Sequence, residues 1–448
     1  MLDVSYALEP FASHGAEVFV DPERAEISGW TDQHGGFSKI YGGMPIYFAT
    51  RFSEPFTDWG VSKNNVRDEK GTYTGGLDIA AYAGFDGDAN EVVAKVGISL
   101  ISMEQARLNL ESEVPDFDFD EARARTADAW RERLNDVTVW GGTEEERAVF
   151  ASALYHLDVL PTSITETGKR YMGFDRQEHT AEGFTYYTDL SIWDTFRTYH
   201  PLMQLMRPSM NRDIIRSMIA MFDQGGSYPM WAQGIGETNV MIGTHCDTVI
   251  GEAVVKQLGG FDIAGVYEGL RQHATEPVTP AGRPGVEDWT TIGYVASDHD
   301  DQSVSRTLEY ALNDYCLGKI AESLGENEDA EMFFDRAQNF RNLWDADLHY
   351  FRERRADGSL EYFDPEFSFF FHGYTEGNAR HWRWFVPHDV PALVEMMGGA
   401  DSFTAALEDY LNGPPRCPTR FCTISITGTA TSPIFMPRIS STSSDARN

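Results

Sequence analysis

The residues best suited to catalysis or sugar binding lie near the middle of the chain. Trp193, Asp194 and Arg197 place an indole, a carboxylate and a guanidinium within five positions, and Glu237 and Asn239 follow in a loop rich in Gly, Pro and Trp. Aromatic rings and carboxylates crowded together are typical of sugar sites, where rings cover apolar faces and oxygens accept hydroxyl hydrogen bonds. These five side chains are therefore the candidate substrate-binding residues.

A helix is expected to carry the first three of them. Its start is predicted at Asp189, whose carboxylate can cap free backbone N–H groups, and Pro201 should end or kink it. Asp194 and Arg197 are three positions apart and so are neighbours on a helix surface, which leaves a local ion pair as the alternative to a site. The apolar stripe of this helix is Ile192, Phe196, Tyr199 and Met203.

A second candidate is Glu376, in the run Tyr374–Ala379. The run follows an aromatic, strand-like segment, Phe367–Phe371, and opens an expected helix. A carboxyl among aromatic side chains has a raised pKa, which keeps it protonated as a general acid. The structural alternative is that a glutamate at a helix N-terminus simply stabilises the helix dipole.

Two acidic clusters raise the question of a metal. Asp298–Asp301 resembles a cation-binding loop, although carboxylates ahead of a helix are also ordinary caps. His245 and Asp247 favour a hydrogen-bonded loop pair. The four cysteines include the pair Cys417 and Cys422 but no second ligand pair, so neither zinc nor a disulfide framework is expected. The metal ligands stay unassigned.

The net charge of −34 excludes one class of partner. Only seven of the 36 basic residues are lysine, and so acidic a surface repels the phosphate backbone of nucleic acids. No run approaches 18 apolar residues, so no membrane span is expected, and no signal peptide follows Met1. The acidity predicts a high-salt environment, because salt screens the self-repulsion. Localisation and oligomeric state are left open.

Stepwise changes of pattern divide the chain into four parts. Residues 1–102 alternate short apolar runs with glycine turns, which predicts part of a β-sandwich. Linker helices are expected over 103–142, at Met103–Glu113 and Phe119–Leu134. A capping box at Thr143 and Glu146 opens a helical domain over 143–412.

Within that helical domain, long loops carry the unusual residues between apolar helices. The clearest stripes lie in 149–157, 214–222, 304–315 and 333–344. No fixed-length repeat is present, which favours helical hairpins closed into a barrel over a solenoid.

The last part, residues 413–448, has a different composition. It holds one acidic residue, Asp445, against four arginines and twelve Ser or Thr. Such a tail is expected to be disordered, or to come from a shifted reading frame beginning near Arg416.

Several runs, in order along residues 1–411, resemble glycoside hydrolase family 92, the calcium-dependent exo-acting α-mannosidases. No single run is specific, but their joint order is. The matching runs are Gly183–Tyr187, Trp193–Arg197, Pro229–Trp231, Gly236–Gly243, Gly293–Tyr294, Ser303–Tyr310, Tyr374–Ala379 and Trp384–Asp389.

The resemblance implies an α+β multidomain protein, with a partial N-terminal β-sandwich followed by an incomplete (α/α)6 helical barrel. It implies inverting hydrolysis of terminal α-mannosides of the α-1,2 type on mannose-containing glycans, although linkage preference rests in variable loops. By resemblance Glu376 is the general acid, Trp193 and Asp194 contact the terminal mannose, and Ca²⁺ binds the sugar hydroxyls.

The departures from the family pattern bear on activity. The family has a longer sandwich before the point that matches Met1, so the N-terminus is expected to be truncated. The family's Gly-Asn-Glu-Pro motif and the later motif that supplies the catalytic base are not spelled by this reading frame. Without a base, the chain as written is expected to be inactive.

Three alternatives remain at this stage. Another (α/α)6 glycosidase, acting for instance on glucosides, would release glucose and no mannose. A non-catalytic carbohydrate-binding fragment would bind mannose without turnover. A helical scaffold protein fits least, because scaffolds do not need so many Trp, Asp and Glu residues in loops.

Overall fold

The computed structural model describes residues 1–6, 12–87, 91–365 and 372–412. The aromatic run Phe367–Phe371 and the tail 413–448 therefore lie outside the described residues. The described chain is an N-terminal β-rich domain followed by a helical domain, which confirms the expected α+β class. The four boundaries drawn from the sequence, and the closure of the helices into a barrel, stay predictions.

Among the described residues, nine strands build the N-terminal domain as two antiparallel sheets. The strands are β1 (Leu2–Asp3), β2 (Ala12–Asp21), β3 (Glu26–His34), β4 (Met44–Phe52), β5 (Asp58–Lys63), β6 (Val66–Glu69), β7 (Tyr73–Gly76), β8 (Ile79–Gly84) and β9 (Ala94–Ser99). One sheet has the order β7-β2-β3-β4-β9 and the other β1-β8-β5-β6. Alternate residues of β2, from Ala16 to Val20, are buried against Ile27, Val61 and Ile79.

Two helices lead from the sheets to the helical domain, α1 (Met103–Glu113) and α2 (Phe119–Leu134), with the bounds the sequence predicts. Helix α1 lies flat on β9, because Gly97 has no side chain: a Cβ there would come within 2.3 Å of the Ala106 carbonyl oxygen. The buried Glu26 joins sheet to helix, since its carboxylate accepts from Arg51 at 2.9 Å and Arg107 at 2.8 Å.

The helical domain contains short strand pairs and helices of very different burial. Its helices are α3 (Glu144–His156), α4 (Ile192–Thr195), α5 (Tyr199–Met206), α6 (Pro208–Gly225), α7 (Cys246–Val255), α8 (Ile263–Thr275), α9 (Val286–Thr291), α10 (Ser303–Leu324), α11 (Asn327–Arg336), α12 (Ala379–Trp382), α13 (Val390–Met396) and α14 (Ala400–Asn412). Its strands are β10 (Thr162–Ser163), β11 (Arg170–Met172), β12 (Glu178–Thr180), β13 (Tyr187–Thr188), β14 (Leu190–Ser191), β15 (Trp231–Gln233), β16 (Gly236–Glu237), β17 (Trp344–Asp345) and β18 (Tyr350–Phe351), and 3₁₀ turns cover Ser38–Tyr41 and Asn339–Leu343.

Helix α10 is the centre of this domain. Its residues from Ser303 to Asp314 are all buried, including the polar residues Glu309, Asn313 and Asp314, and it ends at Gly325 in the left-handed conformation. Helices α7, α8 and α11 pack around it. Because its polar side chains cannot reach solvent, they must bond to other buried groups, and these bonds build the candidate site.

Two expectations for the helices are wrong. Asp189 does not cap a helix: its φ is +58°, and its Oδ1 accepts from Gly234 N at 3.0 Å. Pro201 does not end a helix either, because it lies in the first turn of α5, where a missing N–H costs nothing. The chain between the two forms α4 and then a break. The four stripe residues are nevertheless all buried, as predicted: Ile192, Phe196, Tyr199 and Met203.

Helix α3 also differs from expectation. The Thr143–Glu146 capping box forms as predicted. Its apolar face, however, is not covered, since none of its residues is buried and Val149 is 65% exposed. The nearest ring contact of α3 is between Tyr155 and Trp130 of α2, with centroids 4.6 Å apart. None of the described helices is long and apolar enough to cross a membrane.

Candidate active site

A small three-stranded sheet brings the candidate residues together. Strand β14 pairs with β15, which pairs with β16, so that Ser191 lies opposite Trp231 and Ala232 opposite Glu237. Helix α4 begins directly after β14. The sheet therefore fixes α4, with Trp193 and Asp194, beside the loop that carries Glu237.

Trp193 and Arg197 converge on one buried carboxylate of α10. The indole Nε1 of Trp193 donates to Glu309 Oε1 at 2.9 Å, and Arg197 Nη2 lies 3.5 Å from the same oxygen. The guanidinium of Arg197 also lies over three aromatic rings, those of Trp193, Phe196 and Phe385, at 5.2, 4.6 and 4.9 Å from their centroids. Charge and cation–π contacts together hold this arginine in one place.

His245 completes the surroundings of Glu309. Its Nε2 lies 3.1 Å from Glu309 Oε2, and its ring stacks on Phe196 with centroids 3.9 Å apart. The expected pair of His245 with Asp247 is wrong, because Asp247 instead accepts from Thr244 at 2.6 Å and Arg283 at 3.0 Å. The two residues flank the start of α7, and their side chains join different buried networks.

Asp194 and Glu376 form the acidic part of the site. Ser191 Oγ donates to the Asp194 carboxylate. Burial raises the pKa of Glu376, and the negative charge of Asp194 raises it further. The raised pKa agrees with the environment predicted for a general acid. Part of its cause is the neighbouring carboxylate of Asp194, which was not predicted from the sequence.

Glu376 lies in a turn before helix α12 and not at the helix start. Its backbone has a φ of +49°, a left-handed conformation that a glutamate adopts only under constraint. The cap of α12 is Asn378, whose side chain accepts from the backbone of Arg380 and His381. The alternative role for Glu376, stabilising a helix terminus, is thus filled by another residue.

The Glu237 carboxylate holds its own loop in shape. Its two oxygens accept from the backbone N–H groups of Met230 at 3.0 Å, Trp231 at 3.1 Å and Asn239 at 2.6 Å. Burial raises the pKa of Glu237, while these hydrogen bonds oppose the shift. Shaping the loop from Met230 to Asn239 is therefore an observed task of Glu237, and contact with a substrate stays a prediction.

Asn239 is turned toward a different loop. Its Oδ1 accepts from Ala281 N at 3.0 Å, and it lines a cavity of about 440 Å³ formed mainly by residues 277–288. Within the described ranges, its side chain forms no hydrogen bond with the group around Trp193 and Glu376. A second cavity, of about 520 Å³, has mainly apolar walls and is lined by Arg197, Trp384 and Phe385 among others.

The acidic run Asp298–Asp301 does not form a cation site in the part of the chain that the structure describes. Asp298 accepts from Ala356 N at 2.9 Å, His299 bonds to Asp288 at 2.8 Å, and Asp300 binds Arg306 at 2.9 Å. Among residues 1–6, 12–87, 91–365 and 372–412, no group of three or more His, Cys, Asp and Glu could hold a metal ion.

Glu309 was not among the site residues predicted from the sequence. It lies in Ser303–Tyr310, a run noted only for its resemblance, and its spacing within an apolar helix suggested nothing more than packing. One signal could have identified it. The helix of 22 residues has no continuous polar face, so a carboxylate in its middle must be buried and needs hydrogen-bond donors there.

Comparisons with known proteins place this geometry in context. Residues 1–99 match the glycosyl hydrolase family 92 N-terminal domain, and residues 105–429 match the family 92 catalytic domain. An uncharacterized secreted glycosidase of Arthroderma benhamiae is 28% identical over 379 residues, which cover 75% of this chain and 44% of that protein. The chain thus spans less than half the length of this curated relative.

Two solved structures from Bacteroides thetaiotaomicron are similar throughout the described fold. The family GH92 α-mannosidase BT3965 has a TM-score of 0.82 at 27% identity, covering 92% of this chain and 54% of its own. BT3965 has also been solved in complex with mannoimidazole. The inverting mannosidase BT2199 has a TM-score of 0.82 at 28% identity, covering 89% of this chain and 54% of its own.

Proposed function

This chain belongs to glycosyl hydrolase family 92, and we propose that its site recognises a terminal α-mannoside. The observation that carries the proposal is the approach of Asp194 to Glu376, which raises the pKa of Glu376. Trp193 and Arg197 stand beside Asp194 on one short segment. The mannoimidazole complex of BT3965 supports mannose as the sugar.

In the proposed reaction, a terminal α-mannoside is hydrolysed with inversion at its anomeric carbon. The preferred linkage is proposed to be of the α-1,2 type. Glu376, whose pKa is raised by burial and by the charge of Asp194, gives its proton to the leaving glycosidic oxygen. The carboxylate of Asp194 accepts hydrogen bonds from sugar hydroxyls, and the ring of Trp193 excludes water from one side of the sugar. In an inverting enzyme a second carboxylate activates water, at about 6.5–9.5 Å from the acid.

The proposal includes binding without turnover by this chain as written. By resemblance, the base belongs to a motif that this reading frame does not spell. Loss of general-base help lowers rates by about 10²- to 10⁴-fold. Mannose is therefore expected to be held and not released from glycans at a useful rate.

Calcium is part of the proposal by resemblance alone. When bound, it would coordinate sugar hydroxyls. The described residues offer no cluster that fits a metal ion, so we assign it no step. A calcium site on this chain would therefore need ligands outside the described ranges. Otherwise it would use fewer than three acidic or histidine side chains.

Calorimetry with mannoimidazole in calcium tests the proposal. The wild-type chain is expected to bind through a proton that protonated Glu376 shares with the imidazole. Glu376→Gln is expected to bind about 10- to 100-fold more weakly, because an amide cannot give up a proton to form this charge-assisted hydrogen bond. Glu353→Gln is the matched control, since burial also raises the pKa of Glu353, in a neighbouring cavity. No binding by the wild type would refute mannose recognition.

Three further arms separate the alternatives. Chelation of calcium with EGTA is expected to weaken mannoimidazole binding, and unchanged binding would remove calcium from the proposal. Preference for a glucose-configured imidazole would favour a glucosidase. Calcium-dependent mannose release from an α-1,2-mannobiose would refute binding without turnover.

A further inference from the structure

Trp193 and Arg197 from one segment and His245 from another meet at the carboxylate of Glu309. Its side chain is 0% exposed, as is fitting for the centre of α10. It faces the indole N–H of Trp193, the guanidinium of Arg197 and the imidazole of His245. Removing the carboxylate leaves these donors, of which His245 is buried and Trp193 and Arg197 are half-buried, without their common acceptor.

The hydrogen-bond network fixes which ring nitrogen of His245 carries the proton. The backbone N–H of Thr244 can only donate, and it lies 3.0 Å from Asn313 Oδ1. This orients the Asn313 amide so that its Nδ2 lies 3.3 Å from His245 Nδ1, which must then accept. Burial lowers the pKa of His245, so the ring is neutral and carries its proton on Nε2, toward Glu309.

Trp193 and Arg197 gain a second anchor on Glu309, because the three-stranded sheet holds only the start of α4. Helix α4 has only four residues and no side-chain cap, and Arg197 follows it, in the break before α5. Helix α10, in contrast, has 22 residues and is buried over the whole stretch from Ser303 to Asp314 that contains Glu309. The contacts with Glu309 therefore restrain the side chains of Trp193 and Arg197, which are proposed to face the sugar, against the buried part of α10.

We propose that Glu309, oriented by His245, is a positioning residue that sets the orientation of Trp193 and Arg197 for sugar recognition. The inference rests on the proposed function, because the sugar is what the two side chains are positioned to meet. Glu309 acts through its neighbours and is assigned no contact with substrate.

The substitution Glu309→Gln tests the role of the charge at nearly constant volume. Its amide oxygen can still accept from Trp193 and Arg197, which share one oxygen of Glu309, but its NH₂ group then faces the Nε2–H of His245, so donor meets donor. We expect mannoimidazole affinity to fall about 10- to 100-fold, because misplacement of site groups by a fraction of an ångström has effects of this size. Asp329→Asn is the matched control: it removes a carboxylate that binds Arg271 and Tyr267, each at 2.7 Å.

A second measurement reads the position of Trp193 without any sugar. The indole N–H resonance of Trp193, assigned by its absence in Trp193→Phe, is expected to shift in Glu309→Gln and to keep its place in Asp329→Asn. In the wild type this proton should exchange slowly with solvent. An unshifted resonance together with affinity within twofold of wild type would overturn the inference.

The two measurements keep the inference apart from the proposed function. If the wild type binds no mannoimidazole, mannose recognition fails, while the Trp193 resonance still decides whether Glu309 positions the indole. Should Glu309→Gln not fold, the wild-type exchange rate decides alone: fast exchange of the indole N–H overturns the anchor, and slow exchange supports it.

Discussion

Gly236 lies against the face of Tyr41, so close that a Cβ on Gly236 would come within 2.4 Å of Tyr41 Cγ. Tyr41 belongs to the N-terminal domain, and Gly236 begins the strand that carries Glu237. Arg176 strengthens the contact from the helical domain by donating to the carbonyl oxygens of Tyr41 at 2.6 Å and Gly43 at 2.9 Å. The N-terminal domain thus supports the loop that shapes one side of the candidate site.

Gly236→Ala is expected to destabilise this junction. The added methyl group must displace the Tyr41 ring or the loop, and overpacking of this kind costs about 1–3 kcal/mol. The free energy of unfolding, measured in urea, checks the loss. Gly36→Ala is the matched control, because a Cβ at Gly36 would meet no atom within 4 Å. Equal stability of the two variants would contradict the close contact.

The fold was predictable where local pattern and packing agree. The bounds predicted for α1 and α2 are the bounds observed, and α6 ends where Gly226 takes the left-handed conformation. The break between α4 and α5 was not predictable from spacing. The stripe residues there are all buried, and the same spacing of apolar residues is met by two short helices joined at an angle.

The candidate site was predictable in its members and less so in its bonds. Trp193, Asp194, Arg197 and Glu376 come from motifs and meet in the structure. The partner of Arg197 is Glu309, which lies 112 positions away, and pairing over such a distance leaves no periodic trace in the sequence. The Glu237 carboxylate holds its own loop, a task that residue type alone does not distinguish from sugar binding.

Arg283→Met is expected to be among the most destabilising single substitutions. The Arg283 side chain is 0% exposed and binds Asp247 at 3.0 Å and Asp314 at 2.5 Å. Removing one member of a buried ion network costs about 3–5 kcal/mol, because the remaining charges lose their partner.

Chemical denaturation of this variant at pH 7 provides the measurement. The matched control is Arg271→Met, whose arginine pairs with Asp329 at 42% exposure and should contribute at most about 1 kcal/mol. The pKa of Asp247 is already raised to about 6, so the loss in Arg283→Met should shrink as pH falls and Asp247 protonates. A loss equal to that of the control would contradict the network.

Asp194→Asn is expected to move the pH dependence of sugar binding. The charge of Asp194 is one cause of the raised pKa of Glu376, so its removal should lower that pKa. Because binding of mannoimidazole is proposed to need protonated Glu376, its alkaline decline should begin at lower pH in the variant. Calorimetric titrations across pH give the midpoint. Asp189→Asn, which alters a charge facing Tyr41, should leave the midpoint unchanged.

His200 is expected to make the protein less stable in mild acid. Burial lowers its pKa to about 4, against about 6.5 for an unfolded chain, so between these values only the unfolded state binds the proton. Stability from the neutral ring is complete above pH 6.5 and is lost as pH falls toward 4, by about 3 kcal/mol.

His200→Gln, which can keep a donor toward Asn211 Oδ1, removes this titration. Its unfolding free energy should therefore fall less steeply than that of wild type between pH 6.5 and 4.5, whereas the exposed substitution His156→Gln should leave the wild-type slope nearly intact. Identical slopes for wild type and His200→Gln would mean that His200 takes up its proton in the folded state.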